Sequence, residues 1–160
     1  HPKTIQPLKK KKIPLYIKSF LDRDSVGTIV FENLEVESSL PLYIHKNNQI
    51  LISISDRSLA FIVENHMSKI FSLLALYSVE VNMMQNSAVS FSICVDNDKY
   101  KIPRLINSLQ EHFEVFYNDN LILYTIRNYT DSSASELIAN KNVLLEQKTR
   151  NTLQIIVKDN

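Results

Sequence analysis

The sequence predicts an α+β fold built on the order β-α-β-β-α-β, and three observations predict it. Short apolar alternations recur at Ile50, Ile52 and Ile54, at Val79, Val81 and Met83, and at Val89, Phe91, Ile93 and Val95. Apolar residues at helical three-to-four spacing separate them: Ile62, Val63, His66, Met67, Ile70, Phe71, Leu74 and Tyr77 form one stripe, and Ile102, Leu105, Ile106, Leu109 and Phe113 a second. Turn residues punctuate the joints, namely Asp56-Arg57-Ser58, Asn86-Ser87 and Asp96-Asn97-Asp98. A period of two marks a half-buried strand and a period of 3.6 an amphipathic helix.

Residues 2–12 have weak helical character and end in a lysine run. Residues 13–18 alternate as a short strand, Asp24-Ser25-Val26-Gly27 is turn chemistry, and Thr28–Phe31 reads as a second strand. Residues 32–48, with Pro41 and Asn47-Asn48, read as a linker. From residue 49 the crisp pattern begins. Pro103 is tolerable in the first turn of its helix, and Glu114–Tyr117 closes the unit as a final strand. Residues 49–117 thus follow the split βαβ, ferredoxin-like plan, in which two helices cover one face of a four-stranded antiparallel sheet.

The remainder echoes this unit. Leu121–Ile126 is a strand, Ser132–Asn142 a helix, and Val143–Gln147 and Leu153–Val157 are strands. This is a shorter, incomplete β-α-β-β unit, a degenerate duplication. It leaves sheet edge and apolar surface uncovered, so it is expected to pair with the first unit or with a partner. The expected domains are 1–48, 49–117 and 118–160.

Composition excludes several function classes. Of 160 residues, 44% are apolar, enough for a real core. No apolar run nears the roughly 20 residues of a membrane span, and no secretory leader is visible. The single cysteine, Cys94, lies in an alternating apolar stretch. It reads as a buried structural thiol in a reducing, cytoplasmic setting. Gly27 is the only glycine, so no glycine-rich phosphate cradle is possible. Net charge is +1, but unevenly placed: residues 1–18 carry six lysines and no acid, leaving 12 of the 18 basic residues against all 17 acidic ones, a balance of −5. A basic start on an acidic body argues against a nucleic-acid face, and Lys9–Lys12 suits the C-terminal end of a helix dipole. The opening His-Pro-Lys-Thr-Ile, without Met, reads as a piece of a longer protein.

Candidate chemistry is sparse. The four histidines (His1, His45, His66, His112) have no i, i+3 or i, i+4 partner, so no metal site is expected. No catalytic constellation is recognisable. Asp96 and Asp98 lack the glycine and bidentate glutamate of a calcium loop and read as a plain turn. The stretch Val81–Ser90 is different. It sets amides and hydroxyls at a strand end, and such groups both donate and accept. Opposite lie the Ser55–Ser58 loop and a helix start near Phe61–Glu64, where free N–H groups suit a carboxylate. A small amino acid fits this pairing. The competing reading is a polar corner satisfying its own backbone.

These residues carry a resemblance. Asn65–Ser92, NHMSKIFSLLALYSVEVNMMQNSAVSFS, is similar to the first ACT domain of aspartate kinases, where a strand after a helix ends in a Gln/Thr-Asn/Thr-Ser corner. HPKTIQP, IPLYIKSF and GTIV resemble the end of the same enzymes' kinase domain, and Val143–Gln147 resembles the second ACT repeat. The resemblance implies a parent enzyme that phosphorylates the aspartate β-carboxylate with ATP and Mg. The Lys-Phe-Gly-Gly motif of its catalytic part is absent here, so the resemblance implies no catalytic residue and no cofactor in this chain. It implies pairing of ACT domains between protomers and an inhibitory lysine or threonine at that interface. Carried over, the effector contacts are Ala60, Phe61, Asn65, His66 and Met67 at the helix start, Val81 and Asn82 on the strand, and Gln85, Asn86 and Ser87 at the corner. The implied partners are the effector, the chain's own kinase domain and a second copy, with no nucleic acid and no membrane. Lysine-sensing members often carry Asp at the position of Asn82, and Gln85-Asn86 resembles threonine-sensing members. Two other functions share the fold. An RNA-binding module needs aromatic platforms, but Phe91 stands alone. A purely structural dimerisation unit needs no ligand.

Overall fold

A computed structural model describes residues 2–31, 40–58, 61–139 and 141–158. The chain divides into two units, residues 1–39 and 40–160. In the first, α1 (Pro2–Lys10) ends on Lys9 and Lys10, and Lys12 stops it in the left-handed region at φ 55°. Strands β1 (Leu15–Ile17) and β2 (Thr28–Val30) pair antiparallel, Leu15 opposite Val30. Gly27 precedes β2 at φ 70°. A Cβ there would collide with the Ile17 carbonyl oxygen, which explains why the one glycine of the chain stands here.

The second unit is a six-stranded antiparallel sheet in the order β4-β5-β3-β6-β8-β7. Its strands are β3 (Leu42–Ser55), β4 (Val81–Asn86), β5 (Ser90–Asp96), β6 (Glu114–Arg127), β7 (Val143–Lys148) and β8 (Thr152–Lys158). Its helices are α2 (Glu64–Leu76), α3 (Lys101–Gln110) and α4 (Asp131–Ile138). The inner halves of β3 and β6, with β4, β5, α2 and α3, make the expected β-α-β-β-α-β unit. Ile50, Ile52 and Ile54 pack with Ile70 and Leu74 of α2 and with Leu105 and Leu109 of α3. Asp98 starts α3, accepting from the backbone N–H groups of Tyr100 at 2.8 Å and Lys101 at 3.0 Å. Asp96-Asn97-Asp98 is therefore a helix-capping turn.

Two expectations are corrected. Residues 42–48 are not linker: they form the outer half of β3, with Leu42 opposite Arg127 and Lys46 opposite Leu123. Residues 32–39 of that predicted linker lie outside the described residues. Nor does a strand end at Tyr117, because β6 runs unbroken from Glu114 to Arg127. The physical reason is the same in both places. Asn47-Asn48 and Asn118-Asp119-Asn120 have turn composition, yet Asn48 and Asn120 both take φ 52°, a conformation Asn tolerates singly. The strands bend there, β3 with register shifts on either side of Gln49, without losing their partner.

The second repeat reads β6-α4-β7-β8 in sequence. Its fourth sheet position is taken by Leu42–Lys46, which pair on the free side of β6. Ile126, Leu153, Ile155 and Val157 pack with Ala134 of α4. Thr130 caps α4, accepting from the Ser133 N–H at 3.2 Å. A third cluster of Leu51, Met83 and Cys94 with Leu121, Leu123 and Ile156 joins side chains of the two repeats.

Candidate functional site

The loop before α2 and the β4–β5 corner meet: the Ile62 N–H donates to the Ala88 carbonyl at 3.0 Å. Phe61, Asn65, Gln85, Asn86 and Ser87 are exposed around this junction. Ser87 closes the corner itself. Its N–H donates to the Ser90 carbonyl at 2.8 Å, and its hydroxyl accepts from the Ser90 N–H at 3.0 Å. Gln85 and Asn86 make no side-chain hydrogen bond among the described residues, so their amides are available to a ligand. Ala60 lies outside the described residues.

His66 and Met67 are half-buried and turn toward the core. Met67 packs against the first cluster. His66 Nδ1 accepts from the Val63 N–H at 3.4 Å, Nε2 lies 3.8 Å from Asp56 Oδ2, and the ring meets Phe113 edge-on at 5.7 Å.

Val81 and Asn82 stand toward the other end of β4, since Val81 and Asn86 are about 17 Å apart at strand rise. Val81 packs against the first core cluster. Asn82 is the extra residue of a bulge between Val81, opposite Val95, and Met83, opposite Cys94. Bulges re-aim side chains, and here Asn82 enters a polar network. Its Nδ2 donates to Gln49 Oε1 and to Asp96 Oδ1, each at 2.8 Å. Gln49, only 1% exposed, donates to Asp96 Oδ1 at 2.8 Å and to the Asn47 carbonyl at 3.0 Å. Lys46 Nζ donates to Asn82 Oδ1 at 2.8 Å and lies 3.7 Å from Asp96 Oδ1. The Gln49 hydrogen bond, aided by Asn82 and Lys46 against a desolvation penalty, holds the Asp96 carboxyl below its ordinary value. Burial, with the Asp96 charge, pushes the Cys94 thiol up to about 12. Such a thiol is not a nucleophile near neutral pH.

The predicted residues thus fall into two groups: a junction of Phe61, Asn65 and Gln85–Ser87, and a network around Asn82. Lys46 and Gln49 escaped sequence reasoning, and Asp96 reads there only as a turn residue. The sole local signal was Gln49, a polar residue opening an isoleucine-rich strand. Among the described residues no three His, Cys, Asp or Glu side chains are grouped to hold a metal. No helix there is long and apolar enough to cross a membrane.

Two βαββ-type units on one antiparallel sheet, sharing two bent strands, make a tandem ferredoxin-like fold of the ACT type. No family model matches the chain. It is 29% identical over 126 residues to the bifunctional aspartokinase/homoserine dehydrogenase of Buchnera aphidicola, covering 76% of this chain and 15% of that protein. It is 25% identical over 114 residues to aspartokinase 1, chloroplastic, of Arabidopsis thaliana, covering 70% and 20%. The chain therefore spans a fifth or less of the curated relatives it matches. Its fold is that of E. coli aspartokinase III in complex with lysine and aspartate (T-state), at TM-score 0.75 and 18% identity over 99% of this chain and 38% of that one. It is also that of a C-terminal regulatory domain of aspartate kinase from Porphyromonas gingivalis, at TM-score 0.62 and 20% identity over 75% and 87%. In sequence relatives and in fold, the chain matches the C-terminal ACT regulatory region of aspartate kinases.

Proposed function

We propose that this chain is the regulatory part of a cytoplasmic aspartate kinase, an enzyme that uses ATP with Mg to convert L-aspartate to 4-phospho-L-aspartate. In this reading the chain itself supplies no catalytic group. It binds an inhibitory amino acid, lysine or threonine, where ACT repeats of two protomers pair. Residues 1–39 are the end of the kinase domain and its connector; the first ACT repeat centres on 49–117 and the second on 118–160, with Leu42–Lys46 of β3 completing the second repeat's share of the sheet. The observation that carries the reading is the junction of α2 with the β4–β5 corner: exposed, unbonded amides of Gln85 and Asn86 lie on an edge strand. An edge strand offers unpaired backbone groups to a second copy. The lysine held by the E. coli enzyme supports the ligand class. An effector shifts the enzyme only by binding one quaternary state better than another. The test is a set of thermal melts of the chain with each proteinogenic amino acid at millimolar concentration, with light scattering alongside. A dimer stabilised by lysine or threonine is expected; no shift with any amino acid would sink the effector reading.

A further inference from the structure

The inner half of β6 has a strand on one side only. Glu114–Asn118 pair with Leu51–Ser55 of β3, whereas β8 joins the other side of β6 from Leu121 onward. Among the described residues the outer edge of Glu114–Asn118 is therefore unpaired. Every second residue there offers its N–H and C=O to another strand. Exposed edges of this kind are commonly blunted by charge. The β7 edge is blunted, for Glu146 and Lys148 lie along it as an ion pair, 2.9 Å apart. The β6 edge is not. Its centre, Val115-Phe116-Tyr117, carries no charge, and Phe116 is 63% exposed and Tyr117 53%.

The shape beside this edge suits a strand. Val115 and Tyr117 stand opposite Ile54 and Ile52, on the face that α2 and α3 cover, and Phe116 stands opposite Ser53 on the other face. A concavity lies toward each end of the edge. One, of about 390 Å³, is lined by Arg57, Gln110, Phe113 and Val115 among others. The second, of about 260 Å³, lies between Tyr117 and the α3 residues Pro103, Asn107 and Gln110. This stripe of α3 is uncharged, since Lys101 and Arg104 do not line it.

We infer that this edge pairs antiparallel with the same edge of a second copy, across a two-fold axis at Phe116. A two-fold interface must be self-complementary, and this register is. Glu114 falls opposite Asn118 of the second copy and Asp119 opposite Phe113, so no acid meets an acid. Val115 falls opposite Tyr117 of the second copy. Each Tyr117 ring then fills the concavity beside the other copy's Val115, where the Gln110 side-chain amide, unbonded among the described residues, offers the phenol a partner. On the open face the two Phe116 rings cover each other. The β4 edge lies on the far side of the first repeat, so this pairing needs no effector and stands apart from the effector reading.

The test is light scattering on the full chain, wild type and Phe116→Lys, at high micromolar concentration. Phe116 is exposed, so the fold should tolerate lysine there; a thermal melt checks this, and Phe116→Ser replaces it if the protein does not fold. Pairing would set two ammonium groups together at the axis, so the mass is expected to halve. The change is from tetramer to dimer if β4 edges also pair, and from dimer to monomer if they do not. A wild type that stays monomeric, or a mass that Phe116→Lys leaves unchanged, overturns the inference. Phe116→Cys adds a positive readout. Cα atoms of directly opposite residues lie about 4.5–5.5 Å apart, within disulfide range, so air oxidation should link two copies. Leu76→Cys, at a residue 70% exposed at the end of α2, should stay unlinked. Equal linking of the two variants would mark random collision and overturn the pairing. Absence of any response to amino acids would sink the effector reading and leave these results unaffected.

Discussion

The side-chain amide of Gln49, at the bend of β3, donates to Oδ1 of Asp96 at the end of β5, 2.8 Å away. The same oxygen receives Asn82 and faces Lys46. Each of these partners favours the ionised carboxyl, so its folded pKa lies below the ordinary 3.8. The sign follows by linkage: a depressed carboxyl pKa contributes stability above the unfolded pKa, and that stability is lost as pH falls through the folded one. Asp96 is mostly exposed, so solvent screening keeps the contribution small. Asp96→Asn is expected to melt below wild type at neutral pH, with the gap closing as pH falls below the ordinary carboxylate value and through the depressed one. A gap of constant size across the pH series would show that the charge is not the cause.

The single glycine gives a sharper test in the first unit. Gly27 combines φ 70° with a Cβ position already occupied by the Ile17 carbonyl. That neighbour is backbone of the paired strand and cannot rotate away. Gly27→Ala is expected to cost at least about 1–2 kcal/mol through the left-handed conformation alone, with β1–β2 separating locally. Amide exchange should accelerate at Leu15–Ile17 and stay unchanged at Ile50–Ile54. Equal acceleration in both would contradict a local effect.

Much of this fold is written in the sequence as periodicity. Ile50, Ile52 and Ile54 alternate because one face of β3 meets α2 and α3, and the stripe from Ile102 to Leu109 faces them from α3. Both features are local, and local spacing reports them. What escaped is long-range or ambiguous. Leu42, Tyr43 and Ile44 are half-exposed in an outer strand, so no clean alternation marks them. Asn48 and Asn120 have the composition of turns but bend strands. Of the site, the corner at Gln85–Ser87 was legible as a polar interruption between apolar strands. The Lys46–Asn82 bond joins residues 36 apart in sequence, one of them in a segment that reads as linker. No local pattern encodes such a pairing.

Asn82→Asp tests the network as a unit. The substitution sets a second carboxylate where the Asn82 amide now donates to Asp96 at 2.8 Å. Two carboxyls at that distance do not both ionise easily, and the pair titrates with one pKa raised. Lys46 neutralises part of the excess. The expected loss is about 1–2 kcal/mol at neutral pH, recovered on acidification as one carboxyl takes a proton. Urea titrations at several pH values would read it. A loss that does not shrink on acidification would show that the paired carboxyls are not its cause.

Asn48 and Asn120 share φ 52°, but their side chains are used differently. Asn48 Nδ2 donates to the Asn97 carbonyl at 3.3 Å, while Asn48's own carbonyl receives the Asn97 N–H at 2.9 Å, tying the bend of β3 to the end of β5. Asn120 Nδ2 reaches only its neighbour Asp119, at 3.4 Å. Replacing either by Ala keeps a Cβ in the left-handed region but removes the short polar side chain that lets Asn sit there, and is expected to cost about 1 kcal/mol. Glycine separates the two. Asn120→Gly removes strain and loses one weak contact, so its stability should stay within about 0.5 kcal/mol of wild type. Asn48→Gly also removes strain but loses the tie to Asn97, and should fall about 0.5–1.5 kcal/mol below Asn120→Gly. Urea unfolding of the four variants orders them. If both glycine variants match wild type, backbone conformation alone holds the bend of β3; if both fall equally, the Asn97 tie is not what distinguishes the two strands.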